Sequence, residues 1–388
     1  MKLLAKVVSM LIAVCMVGCL LTACGSSPEQ ATETKVAVEK EAVVSSDAPA
    51  TEEPAGDFLT DFIKGKAIKE DGTPLKVGLN VAELKSEFII LAQDYAAMLL
   101  KEAGAEVSIT NANNSVDTQM NQMDDFIEMG VDVIIVQPAD SEALAPAIKK
   151  INDAGIPVIC INRSVYGDGI KVDLAIGADD QELGRIAAQY VAECADGKDA
   201  KIATMQGTLA TANAHDRAEG FSGECAKNAN LNIVSDRPCE WDSEAALAAT
   251  QDVLTANPDL FAIFSHSDCM SSGIVSGLTQ ADRAVPATDP KHVLFVSIDG
   301  APNGLDYIRQ GMMDATVEQS SPMMAVIAVK AILEKVVKGL PLSGEKINVA
   351  PVLITADNVD DPSLWGNYDV STGLWSRTEE VWNTYLTE

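Results

Sequence analysis

The run from Val131 to Arg163, VDVIIVQPADSEALAPAIKKINDAGIPVICINR, constrains this chain more than any other stretch. Val131–Val136 and Pro157–Ile161 are apolar runs too short for helices and rich in Val and Ile, which reads as two buried strands. Between them, Ser141–Ala154 carries Leu144, Ala147, Ile148 and Ile151 at helical spacing, and Gly155 stands where a C-cap belongs. Strand, helix, strand at this length makes a right-handed crossover with the strands parallel. Gln137 closes the first strand and Asn162–Arg163 closes the second. Parallel neighbours carry those polar ends to the same rim of the sheet, where open α/β folds bind ligands.

The same alternation runs on both sides of this unit. Upstream, Lys76–Val81 reads as a strand, Phe88–Ala103 as a helix closed by Gly104, Val107–Thr110 as a strand and Val116–Met129 as a helix stopped by Gly130. After a short strand near Leu174–Ile176 the pattern restarts, with Asp179 or Asp180 as the cap of the next helix. Strands follow at Lys201–Met205, Asn232–Ser235, Leu260–Ser265, His292–Ser297 and Ala315–Glu318, each trailed by a helical stretch, the last long one at Met323–Lys338. Val349–Thr355 reads as a single late strand. Two series of βα units imply two doubly wound, Rossmann-like lobes with a cleft between them. A chain of 388 residues, 47 % hydrophobic, is long enough to bury both cores.

The first 57 residues follow different rules. Lys2 and Lys6 precede an apolar core, Val7–Leu21, that ends in Leu21-Thr22-Ala23-Cys24. This resembles the bacterial lipoprotein cleavage box, which implies a lipidated Cys24 at the mature N-terminus; Cys19 is a second possible acceptor. Residues 25–57 are rich in Ala, Glu, Ser, Thr and Pro without an aromatic, the composition of a disordered acidic tether. A net charge of −29 excludes a nucleic-acid partner, because no basic stripe is present to neutralise phosphates. Cysteine and histidine spacing gives no metal site, and no Gly-rich phosphate cradle or dinucleotide turn occurs, so neither metal nor cofactor is expected. A Cys225–Cys239 bridge stays open outside the cell, since spacing does not establish pairing.

Polar and aromatic residues recur just after the strands of both halves: Phe88, Gln137, Asn162 and Arg163, then His215, Trp241, Ser267, Asp268, Asp299 and Gln319. Amides, carboxylates and guanidinium groups offer paired donors and acceptors that suit vicinal hydroxyls, and flat rings wall off the apolar faces of a sugar. Trp241 and Phe88 also read as core, the latter at the head of an apolar helix face, His215 as a surface helix-start residue, and Asp268 as a cap. Arg217 reads either as a ligand group or as an ion pair with Asp216 or Glu219.

The phrases Val136-Gln137-Pro138-Ala139-Asp140, Ile159-Cys160-Ile161-Asn162-Arg163, Arg217-Ala218-Glu219-Gly220-Phe221, Ser267-Asp268-Cys269-Met270, Val296-Ser297-Ile298-Asp299-Gly300 and Ala315-Thr316-Val317-Glu318-Gln319 occur in the order and spacing of one family. From about Leu75 to Glu388 the chain resembles a type I periplasmic sugar-binding protein of the ribose-binding kind, the solute receptor of an ABC importer. The resemblance implies two lobes joined by a hinge with chain crossovers. Residues 75–178 plus about 320–348 would form the N-terminal lobe, and 179–319 plus about 349–388 the C-terminal lobe. Carried over by position, the ligand set is Phe88, Gln137, Asn162, Arg163, His215, Trp241, Ser267, Asp299 and Gln319. A ribose binder has Asp before the arginine where this chain has Asn162, Arg where His215 is placed, and Asn where Ser267 is placed. Trp241-Asp242 resembles the glucose/galactose branch instead.

The expected protein is therefore not an enzyme but an extracytoplasmic, monomeric lipoprotein anchored to a bacterial cell membrane. It would bind a monosaccharide, hexose or pentose, and deliver it to an importer's permease. A sugar-sensing receptor feeding a membrane kinase or chemoreceptor would share the fold and site. An exported hydrolase is disfavoured, because no GxSxG elbow exists and His215, His266 and His292 form no metal-spaced pair.

Overall fold

A computed structural model describes residues 57–369 and 372–386. The signal peptide, Cys24 and nearly all of the proposed tether lie outside the described residues. A single helical turn, Leu59–Ile63, leads in. There follow β1 (Lys76–Val81), α1 (Glu87–Glu102), β2 (Glu106–Asn111), α2 (Val116–Met129), β3 (Val133–Gln137), α3 (Ala145–Asp153), β4 (Val158–Asn162) and β5 (Leu174–Ala178). The second series is α4 (Asp180–Ala195), β6 (Ala200–Gln206), α5 (Ala212–Cys225), β7 (Leu231–Pro238), α6 (Ser243–Ala256), β8 (Ala262–Ser265), α7 (Ser271–Gln280), β9 (Leu294–Asp299), α8 (Pro302–Arg309) and β10 (Ala315–Glu318). The chain closes with α9 (Ser321–Glu334), β11 (Lys346–Val349), β12 (Val352–Thr355) and α10 (Thr378–Thr384).

Two six-stranded sheets result. The first has the order β11-β5-β4-β3-β1-β2 and is parallel throughout. The second has the order β12-β10-β9-β8-β6-β7 and is parallel except for its edge strand β12. β3 and β4 are buried at every position, as central strands covered by helices on both faces must be, whereas the edge strand β2 is half-exposed. The helix stops read from sequence are in place: Gly130 closes α2 in the left-handed region at φ 62°, and Gly155 follows α3 at φ 75°. Asp179 caps α4 by accepting from the Glu182 N–H.

The chain passes between the sheets after β5, after β10 and between β11 and β12. The last passage corrects the expectation of one strand over Val349–Thr355. Ala350–Pro351 interrupts it, and Pro351 cannot donate to a ladder, so the halves pair in different sheets. α9 is buried on all sides except at Glu334, lying under β4 and β5 and between α1 and α10. A second difference from the sequence reading concerns 349–388. This segment does not belong wholly to the second lobe, because α10 packs on α9 of the first.

The five cysteines among the described residues are free, and Cys225 and Cys239 sit in separate cores. No helix among the described residues is long and apolar enough to cross a membrane.

Candidate functional site

The ends of β1, β4, β7, β8, β9 and β10 and the start of α5 converge on a cavity between the sheets, with about 570 Å³ of space free of protein atoms, part of it open to solvent. Seven of the residues expected from sequence line it: Phe88, Asn162, Arg163, Trp241, Ser267, Asp299 and Gln319. They are joined by Glu83, Lys85, Ser86, Ile89, Asn114, Asn213, Arg217, Glu240 and Cys269.

Several of these side chains are aimed by unusual backbone. Asn114, Asn162, Glu240, Trp241 and Asp299 all have positive φ, at 59°, 66°, 54°, 58° and 128°. Such conformations cost on the order of 1–3 kcal/mol each in a residue that is not glycine, and they gather where function demands a fixed orientation. Asn162 is able to adopt its turn because Gly177 lies alongside; a Cβ there would stand 2.8 Å from the Asn162 carbonyl oxygen. Trp241 is seated in the same way. A Cβ on Gly207 would lie 2.0 Å from its indole ring, so this glycine is the floor beneath the tryptophan.

Charge is fixed by buried pairs. Asp299 receives Ser267 Oγ–H at 2.5 Å on one oxygen and Gln319 Nε2–H at 2.7 Å on the other, with Arg217 Nη1 3.8 Å away. Arg217 is 1 % exposed; its Nε donates to Asp180 Oδ1 at 2.8 Å and its Nη1 to the His266 carbonyl. Asp180 thus turns inward and leaves capping to Asp179. Burial lowers the Arg163 pKa to about 10, assisted by the neighbouring Arg217 and opposed by Glu83 and Asp180. Burial pushes Asp268, behind the cavity, up to about 8, with Asp299 adding to the effect. It lowers His266 to about 3, so that imidazole stays neutral.

The lobes touch around the cavity. Arg163 Nη1 faces Asn213 Oδ1 at 3.4 Å, the Ala212 N–H donates to Ser141 Oγ at 3.3 Å, and the Asn303 N–H donates to Glu87 Oε2 at 3.4 Å. Lys85 and Asp242 stand 3.9 Å apart at the rim.

Two expected residues are not on the wall. Gln137 is buried, its Oε1 accepting the Ala82 N–H at 2.9 Å and its carbonyl accepting from Gln119, so it holds the loop after β1. His215 is exposed on α5 and bonds Asp216 at 3.3 Å, away from the cavity. Arg217, two residues on, lines the cavity instead. The displacement arises because α5 begins at Ala212, and residues two apart on a helix point about 200° apart. The buried partner Asp180 was the signal for it, but no spacing rule joins residues 180 and 217.

A model of the periplasmic binding protein domain matches residues 77–340. The chain belongs to this family. The periplasmic binding proteins most similar in sequence include the ribose import binding protein of Salmonella typhimurium, 29 % identical over 282 residues, covering 72 % of this chain and 90 % of that one. The ribose import binding protein of Bacillus subtilis is 28 % identical over 255 residues, 66 % of this chain and 79 % of its own. A xylitol-binding protein of Mycolicibacterium smegmatis is 27 % identical over 294 residues, 74 % and 78 % of the two chains. Among solved structures, a solute-binding protein of Actinobacillus succinogenes with bound D-allose has a TM-score of 0.67 at 27 % identity and covers 74 % of this chain and 99 % of its own. The Caulobacter myo-inositol binding protein has a TM-score of 0.69 at 25 % identity, covering 76 % and 97 %. The chain thus shares the family and the two-lobed fold of these relatives, which are themselves binding proteins for sugars or polyols.

Proposed function

We propose that this protein is a lipid-anchored extracytoplasmic receptor that captures a neutral monosaccharide or related polyol and presents its closed form to an ABC importer. One observation carries the reading. Asn162 Oδ1, Arg163 Nε, Arg217 Nη2, Trp241 Nε1 and Gln319 Oε1 are buried, belong to cavity-lining residues and have no hydrogen-bond partner among the described residues. Buried polar atoms are nearly always paired, so a cluster of donors and acceptors around one cavity calls for a ligand that supplies both. Hydroxyl groups do so, each donating and accepting. Lys85, Arg163 and Arg217 balance Glu83, Glu240 and Asp299, which favours a ligand without net charge. Relatives named for ribose, xylitol, D-allose and myo-inositol support the same class.

Closure follows from differential affinity: a ligand touching Asn162–Arg163 on one lobe and Arg217, Trp241 and Asp299 on the other is held fully only when both meet. Isothermal titration against pentoses, hexoses and cyclic polyols tests the reading, and binding of none of them would sink it. The anchor is tested separately by metabolic labelling with a fatty-acid analogue, expected to vanish in Cys24→Ala.

A further inference from the structure

Beyond β12 the chain runs back over both lobes. Val359 belongs to the second core, where Arg309 Nη2 donates to its carbonyl at 3.2 Å and Arg309 Nε donates to Asp360 at 2.8 Å. Trp365 is fully buried. Its main-chain N–H donates to Glu318 Oε1 at 3.1 Å and its indole Nε1–H to the Asp299 carbonyl at 2.7 Å, both on the second lobe. The same ring meets Phe88 of the first lobe edge to face, 5.9 Å between centroids. Asn367 is still tied to Arg309, but Tyr368 already packs edge-on against Tyr95 of α1 at 5.7 Å. The passage between lobes takes one peptide bond. Farther on, the Trp375 N–H donates to Tyr95 Oη at 3.0 Å, Thr378 Oγ1 lies 2.5 Å from the same oxygen, and Trp382 packs on Phe58. The segment itself, though not its partners, lies beyond residue 340, where the family match ends.

We propose that residues 359–369 and 372–385 act as a strap across the hinge, a fourth connection between the lobes, and that Trp365 is its positioning residue, setting ligand affinity by holding Phe88 and Asp299 in register. The proposal rests on the cavity being the ligand site. Trp365 touches two wall residues, one from each lobe, without lining the wall itself. Opening the lobes separates Phe88 from a ring fixed to the second lobe by two hydrogen bonds, and pulls on the short Asn367–Tyr368 passage. The strap therefore raises the closed fraction of the free protein. Apparent affinity for a ligand of the closed form rises in proportion to that fraction.

The test compares the full chain with Trp365→Phe, which keeps a ring against Phe88 but removes the indole N–H, and with Thr378→Val, which loosens the far anchor. Solution scattering of the ligand-free proteins should give a larger radius of gyration for both variants, with melting still cooperative. Titration with the sugar that binds the native chain should give a dissociation constant raised roughly tenfold in Trp365→Phe, with the order of preference among sugars unchanged. An unchanged ligand-free radius of gyration in both variants overturns the strap, even where binding weakens. If no sugar binds the native protein, the sugar reading fails while the scattering still decides the strap.

Discussion

Arg217 on α5 donates from Nε to Asp180 at the start of α4, 2.8 Å apart and both buried. The pair holds the guanidinium in one orientation, with Nη1 on the His266 carbonyl and Nη2 without a hydrogen-bond partner among the described residues. A planar fork with one edge fixed and one free is suited to gripping a hydroxyl in a defined direction.

Arg217→Lys keeps the charge but not the fork. Its affinity for the bound sugar should fall by about tenfold to a hundredfold, the worth of a charge-assisted hydrogen bond. His215→Ala, two residues away on the exposed face, should leave affinity within about twofold. Titration calorimetry on both variants checks the pair of outcomes, and equal losses would contradict the placement of Arg217.

Gly207→Ala puts a methyl group where the Trp241 ring lies, at 2.0 Å before relaxation. The ring must shift, and overpacking of this kind costs about 1–3 kcal/mol. Ligand-induced tryptophan fluorescence should shrink and affinity should drop by roughly tenfold or more at that cost.

Asn162→Asp restores the acid that ribose binders carry before their arginine. Asp tolerates the left-handed backbone at this position as Asn does. The affinity of D-ribose relative to the native chain's preferred sugar should rise by about tenfold, the scale of one exchanged buried hydrogen bond. Competition titration with both sugars measures the ratio directly.

Glu318, 1 % exposed, has its pKa raised from 4.5 to about 7, chiefly by burial, and Asp268 is raised to about 8 for the same reason. An acid with a raised folded pKa binds more protons folded than unfolded, so each costs stability as pH climbs from its unfolded value to its folded one. Melting temperature should therefore decline from about pH 5 to about pH 8. For Glu318 the full cost is on the order of 3 kcal/mol. Glu318→Gln should flatten the decline over pH 5–7, as followed by thermal melts; an unchanged slope would count against the buried-acid account.

The sheets and most helix ends were legible in the chain because they obey local rules. β3 and β4 announce themselves as unbroken apolar runs, Gly130 and Gly155 as left-handed stops, and Asn162–Arg163 in one sheet and Trp241 and Asp299 in the other as strand-end residues that parallel pairing brings to one rim of each sheet. Pro351 was also a readable signal, that one apparent late strand is two. Arg217 was present in the sequence as a choice between ligand group and ion pair with Asp216 or Glu219. Where α5 starts turns it inward, against Asp180 instead, because a shift of helix phase exchanges the inward and outward faces.

What the sequence determined by itself was therefore periodic: which segments are strands, which are helices, and which strand ends carry polar groups. The tertiary structure alone decided the non-local relations: Arg217 with Asp180, Trp241 over Gly207, and Trp365 between Phe88 and Asp299. Periodicity is set by the repeat of the backbone and appears within a dozen residues. Contacts between residues remote in sequence depend on how two lobes pack and close, and no local pattern encodes that distance.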